Sequence, residues 1–152
     1  MDVLTSNDDL SFDLPYPPSV NRIWRSSTKA TTGKVHLAPS YVKWRDAAGV
    51  LLMTHRGWMQ RRILGSFSAY LALCPPKGHP RGDLDNRIKA VLDFLERSTI
   101  ISTDRHCQLV CAYWVERALA PEGCRVVVKP WGPQTVNQVL REAAERMEAT
   151  QT

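Results

Sequence analysis

The chain has 152 residues, 43% of them hydrophobic and 23% charged, which fits one soluble globular domain with a single core. Its apolar runs are short and interrupted, which excludes a transmembrane helix. Met1 to Asp9 is polar and acidic, without the basic flank and apolar run of a secretory signal, so a cytoplasmic location is expected. The net charge of +5 is compatible with a nucleic-acid partner, because surface cations release condensed counterions from phosphate.

Residues 1–9 read as a loose leader. Leu10, Phe12 and Leu14 alternate with Ser11 and Asp13, the period of a half-buried strand. Pro15, Pro17 and Pro18 end it, and Ser19 to Leu37 is polar, basic and read as a long loop. Ser40 is placed to cap a helix running to about Arg56, with Tyr41, Trp44, Ala48, Leu51, Leu52 and His55 at helical spacing and Gly57 as its stop. Phe67, Ala69, Leu71 and Leu73 alternate as a second strand, closed by Pro75 and Pro76. Lys77 to Gly82 is a basic loop rich in Pro and Gly.

A second helix is predicted from about Leu84 to Arg97, with Asp83 at the N-cap and Leu84, Ile88, Val91, Leu92 and Leu95 forming one apolar stripe. Cys107 to Val115 and Arg125 to Lys129 read as the third and fourth strands, joined through Arg117 to Gly123 as a hairpin. After Gly132 and Pro133, Val136, Val139, Leu140, Ala143 and Met147 share a face of a last helix, about Gln134 to Ala149. The order β-α-β-α-β-β-α predicts an α+β domain, a mixed sheet of about four strands with helices packed on it. The main domain spans residues 10–131, and residues 132–152 append a helix to it.

The chemistry concentrates at the start of the second helix. Asp83 and Asp85 stand at its mouth, and Asp85, Lys89 and Glu96 line one flank of the apolar stripe. Asp85 and Lys89 are one turn apart and so can approach each other. Asp104 lies in the polar turn Ser102-Thr103-Asp104-Arg105-His106, ahead of the third strand, where a carboxylate can close the site from the opposite side. Carboxylate oxygens suit a hard divalent cation, and a cation so held can activate water and neutralise charge at phosphorus. The same residues also serve plain structure: Asp83 as a cap, Asp85 and Lys89 as an ordinary ion pair, Asp104 as a turn former. The cysteines Cys74, Cys107, Cys111 and Cys124 lack zinc-site spacing and read as buried free thiols, with Cys107 and Cys111 on one strand face. His36, His55, His79 and His106 are scattered.

Three segments in this order carry a resemblance: LPYPPSVNR at Leu14 to Arg22, DLDNRIKAVLD at Asp83 to Asp93, and Asp104 before an apolar strand. Over about residues 10 to 130 the chain resembles the RusA-type Holliday junction resolvases, crossover junction endodeoxyribonucleases often carried by phages and prophages. The resemblance implies a cytoplasmic homodimer, of a bacterial host or its phage, that nicks opposed strands of four-way DNA junctions with Mg²⁺ or Mn²⁺ in recombination and repair. It implies catalytic and metal-binding roles for Asp83, Asp85 and Asp104, a catalytic role for Lys89, and support from Asn86. Members often carry two acidic residues where this chain has Thr103-Asp104, and the helix beyond Trp131 is an addition.

On that reading the DNA contacts fall to Asn21, Arg22, Arg25, Lys77, Arg81 and Arg87, with Lys29 and Lys34 as further cations and Trp24 as a base-stacking wedge. A two-fold dimer suits a near-symmetric branched substrate. Two rival readings stand beside it. One is a non-catalytic branched-DNA-binding protein on the same fold, favoured by Thr103 in place of an acid. The other is a Mg²⁺-dependent nucleotide phosphohydrolase, which lacks its phosphate-cradling Gly loop here.

Overall fold

The computed structural model describes residues 9–22, 24–26, 35–55, 61–117, 121–132, 137–138 and 140–141. Strand β1 spans Leu10–Leu14, and a 3-10 turn follows at Val20–Arg22. Trp24–Ser26 (β2) and Val35–Leu37 (β3) pair as an antiparallel ribbon. Helix α1 is Pro39–Thr54, β4 is Phe67–Cys74, α2 is Leu84–Arg97, β5 is Cys107–Trp114 and β6 is Gly123–Pro130. The main sheet has the order β1-β6-β4-β5. β1 and β4 flank β6 antiparallel, and β4 and β5 run parallel. The fold is therefore α+β with one mixed four-stranded sheet.

The parallel pair explains the position of α2. Two parallel neighbours need a crossover connection, and the chain from Cys74 to Cys107 supplies it through α2. A second, short parallel bridge, Ile63 to Ile101, lies just before both strands. It is closed by the Ile63 amide donating to the Ile100 carbonyl at 2.8 Å.

β1 buries Leu10, Phe12 and Leu14 and exposes Ser11 and Asp13, the expected alternation. β4 lies inside the sheet, and Phe67, Ala69, Leu71 and Leu73 are fully buried on its core face. The core continues into Tyr41, Trp44, Ala48 and Leu52 of α1 and Val91, Phe94 and Leu95 of α2. Trp44 joins the two helices: its ring meets Phe94 edge-on at 5.6 Å, and its indole N–H donates to the Pro15 carbonyl at 2.9 Å. The β1–β6 pair closes at Gly123, whose φ is +132°. A Cβ there would lie 2.6 Å from the Leu14 carbonyl oxygen, so only glycine permits that approach.

Several expectations are corrected. The third and fourth strands form no hairpin, because β4 lies between β5 and β6. The stretch Ser19 to Leu37 is not all loop: it contains the 3-10 turn and the β2–β3 ribbon. Ser40 does not cap α1. The helix starts two residues earlier than that cap would give, at Pro39, whose fixed φ and missing N–H suit a first position, and Ala38 is the N-cap. Cys111 is exposed and Cys107 half-buried, so the two do not share a buried face. Gln108 has no partner in a register that steps from Phe67–Cys107 to Ser68–Leu109, and this bulge shifts the alternation along β5. The predicted last helix lies outside the described residues, apart from Asn137, Gln138, Leu140 and Arg141, which are helical, and Gly57 lies outside them too.

Candidate active site

Helix α2 presents two different surfaces. Its apolar stripe packs on the core, with Val91, Leu92 and Leu95 buried and Leu84 and Ile88 half-buried, which locks the rotation of the helix about its axis. The flank beside that stripe carries Asp85, Lys89, Asp93 and Glu96, spaced four, four and three residues apart, so all four run along one side. Asp83 occupies the N-cap with extended backbone, yet its side chain caps no helical N–H. It accepts instead from the Asn86 side-chain amide at 3.2 Å. Asp83 and Asp85 are both exposed at the helix mouth, where the positive end of the helix dipole favours carboxylates.

Lys89 does not turn to Asp85. Its ammonium donates to Asp104 Oδ2 at 2.6 Å and meets Asp93 Oδ1 at 2.8 Å. Asp104 opens a 3-10 turn, Asp104–His106, on the approach to β5. Its backbone N–H donates to Glu96 Oε2 at 2.8 Å, and Thr103 Oγ1 accepts from the Arg105 N–H at 3.4 Å. The turn is moored on its other side by Ser102, whose hydroxyl donates to the Leu64 carbonyl at 2.8 Å. The paired charges act on each other. The hydrogen bond from Lys89 holds the Asp104 carboxyl below its usual range, against a smaller opposing effect of burial. The bonds to Asp104 and then Asp93 raise Lys89 well above an ordinary lysine. These groups line a hollow of about 620 Å³ together with Arg97 and Arg105.

A second cluster ties the proline-rich turn to the loop before α2. Arg87 Nη1 donates to the Pro17 carbonyl at 2.6 Å, and its guanidinium lies 4.8 Å from the Tyr16 ring centre. The Tyr16 hydroxyl donates to the Arg81 carbonyl at 3.0 Å, two residues before Asp83. The Arg81 guanidinium lies 6.0 Å from the Trp114 ring centre. Gly82, at φ +66°, passes so close that a Cβ would lie 3.3 Å from the Arg87 guanidinium. Burial raises the Tyr16 hydroxyl pKa, opposed by Arg87 and Arg81, so the phenol stays a donor.

The structure thus brings together Lys89 and Asp104, and Asp83 and Asn86, out of the residues singled out in the sequence. Asn21, Lys77 and Arg81 are exposed, whereas Arg87 is half-buried and committed to Pro17 and Tyr16. The side chains of Arg22, Trp24 and Arg25, and all of Lys29 and Lys34, lie outside the described residues. Among the described residues no three carboxylate, imidazole or thiolate groups stand close enough together to hold a metal ion. The donor chemistry of Asp83, Asp85 and Asp104 nonetheless fits a hard cation, since all three offer carboxylate oxygens. Two residues were not given these roles from sequence: Asp93, legible as an i,i+4 partner of Lys89, and Tyr16, which no spacing rule connects to Arg81. Residues 15–129 match the family described as Endodeoxyribonuclease RusA, and no curated protein matches the chain.

Proposed function

The chain belongs to the RusA family of Holliday junction-resolving endodeoxyribonucleases, and from that premise we propose that its nuclease centre lies between the mouth of α2 and the Asp104 turn. The observation that carries this reading is the bridge from Lys89 to Asp104 at 2.6 Å, which joins the DLDNRIK segment to a carboxylate fifteen residues away. In this reading Asp83, Asp85 and Asp104 are the residues that would hold Mg²⁺ or Mn²⁺, and Asn86 steadies Asp83. The bound cation would supply an activated water and charge neutralisation at phosphorus.

The chain's own groups do the rest. Lys89 carries its proton at every working pH, because two carboxylates raise its pKa. Its ammonium is therefore a permanent donor for a non-bridging phosphate oxygen as negative charge grows there. Lys77 and Arg81, exposed on the loop between β4 and α2, grip backbone phosphates without reading bases. Asn21 adds a neutral donor from the 3-10 turn. Arg87 serves this surface indirectly, by fixing Pro17 and Tyr16 against the loop that carries Arg81. A homodimer would set two such sites against equivalent strands of the junction. Work on DNA in the cytoplasm belongs to the same reading. No helix among the described residues is long and apolar enough to cross a membrane.

The deciding experiment compares nicking of a synthetic four-way junction with nicking of linear duplex, with and without Mg²⁺. The expected result is Mg²⁺-dependent nicking of the junction. Asp85→Asn should lower that rate by more than about a hundredfold while leaving junction binding intact. Full activity in Asp85→Asn would remove the helix mouth from the chemistry. Junction binding without any nicking by the unaltered chain would favour the binding-platform reading, the one that Thr103 in place of an acid also favours.

A further inference from the structure

The first N–H groups of a helical turn have no partner within the turn and must find one outside it. In the turn Asp104–His106 the Asp104 N–H finds Glu96 Oε2, at 2.8 Å, on the last turn of α2. Glu96 is itself held in place. Its neighbours Phe94 and Leu95 are buried, and its own carbonyl accepts from the Thr99 N–H at 3.0 Å as the helix ends. Asp104 is consequently gripped twice by one rigid element: its backbone by Glu96, its carboxylate by Lys89. Lys89 is held in turn by Asp93, one helical turn further along the same flank.

We propose that Glu96 is a positioning residue for Asp104: by accepting the Asp104 backbone N–H, it sets where the Asp104 carboxylate stands relative to Lys89 and the mouth of α2. This inference rests on the assignment of Asp104 and Lys89 to the nuclease centre. Glu96 reaches the chemistry only through Asp104. Its bond lies at the surface and spans only the turn and the helix, so its loss acts locally rather than on the whole fold. Displacing a reacting group by about 1 Å costs on the order of a hundredfold in rate. The acceptor oxygen carries this role, so a glutamine, whose amide oxygen can take the same N–H, should substitute for the glutamate.

The test uses the full chain with Glu96→Ala and Glu96→Gln. Three quantities are read: hydrogen exchange at the Asp104 amide by NMR, kcat and KM on a synthetic four-way junction with Mg²⁺, and the melting temperature. Glu96→Ala should speed Asp104 exchange by about tenfold or more and lower kcat by roughly 10- to 100-fold, with KM and melting temperature nearly unchanged. Glu96→Gln should keep the exchange rate and kcat within about threefold of the original, as expected where an acceptor rather than a charge matters. Unchanged kcat in Glu96→Ala overturns the proposal. So does a Glu96→Gln as impaired as Glu96→Ala, or a kcat loss that comes with a collapse in melting temperature. If the unaltered chain nicks no junction, the nuclease-centre assignment falls, and the exchange data decide the clamp alone. Faster exchange in Glu96→Ala but not in Glu96→Gln then upholds it, and equal exchange in all three overturns it.

Discussion

Lys89 divides one ammonium between Asp93 and Asp104, and that sharing shapes the response of the site to pH. The Asp104 carboxyl titrates lower in the folded chain than in the unfolded one. Its contribution to stability is thus complete above the unfolded value, about 4, and is lost as the pH falls through the lower folded value. A partly exposed pair of this kind contributes about 0.2–1 kcal/mol. The difference in urea stability between the original chain and Asp104→Asn should be flat from about pH 5 to pH 8 and shrink below about pH 4. A difference that grew on acidification would rule out the ion pair as its source. At this scale the sequence already pointed to Lys89 and Asp104, because their residue types and order carry meaning. It pointed Lys89 towards Asp85, however, since an i,i+4 rule sees only the helix. The partners that prevailed are the other i,i+4 neighbour, Asp93, and a residue delivered by tertiary folding. The cysteines show the same division. Cys124 is buried as expected, with its thiol pushed up to about 12 by that burial. Cys111 became exposed through a bulge that alternation cannot foresee.

Elements that declare themselves by periodicity emerged where they were expected. The stripe on α2 and the alternation in β1 are direct imprints of burial on one face, whereas β4 lies inside the sheet and is buried on much of its other face as well, at Ser68 and Cys74. Connections were harder, because the partner of a strand is not written in its own residues. β5 and β6 are adjacent in sequence, yet each pairs with β4. The C-terminus of α2 shows what local chemistry can still reveal. The Ile100 N–H donates to the Leu95 carbonyl and the Thr99 N–H to the Glu96 carbonyl, the paired bonds of a Schellman ending. Such endings favour glycine at the left-handed position, but this chain has Thr99 there, at φ +60°. The left-handed conformation costs a non-glycine residue about 1–2 kcal/mol. Glycine recovers that cost, less about 0.5–1 kcal/mol for its greater freedom in the unfolded chain. Thr99→Gly should accordingly raise stability in urea by about 0.5–1 kcal/mol. A loss of stability would mean that the threonine side chain holds the turn by contacts of its own.

Over the whole molecule, the two ends of the main sheet serve different purposes. The β4–β5 end, with α2 crossing between them, carries the candidate site. The β1 end closes the core: Phe12 is buried and its ring meets His55 edge-on at 6.4 Å. Phe12→Ala should cost about 3–5 kcal/mol in urea unfolding. A cost below about 1 kcal/mol would show that β1 is peripheral to the cooperative unit. Order of strands also governs how the chain comes into being. Among the described residues β1 pairs only with β6, which follows it by roughly a hundred residues. At a synthesis rate of about 5–20 residues per second, the first strand leaves the ribosome roughly 5–20 s before its partner exists. β4 and β5 can pair earlier, but the sheet cannot close until β6 enters between β1 and β4. The three carboxylates and the lysine of the candidate site are thus all made before the sheet behind them is complete, so a nascent chain still lacking β6 carries the candidate site's residues without the finished sheet that supports them.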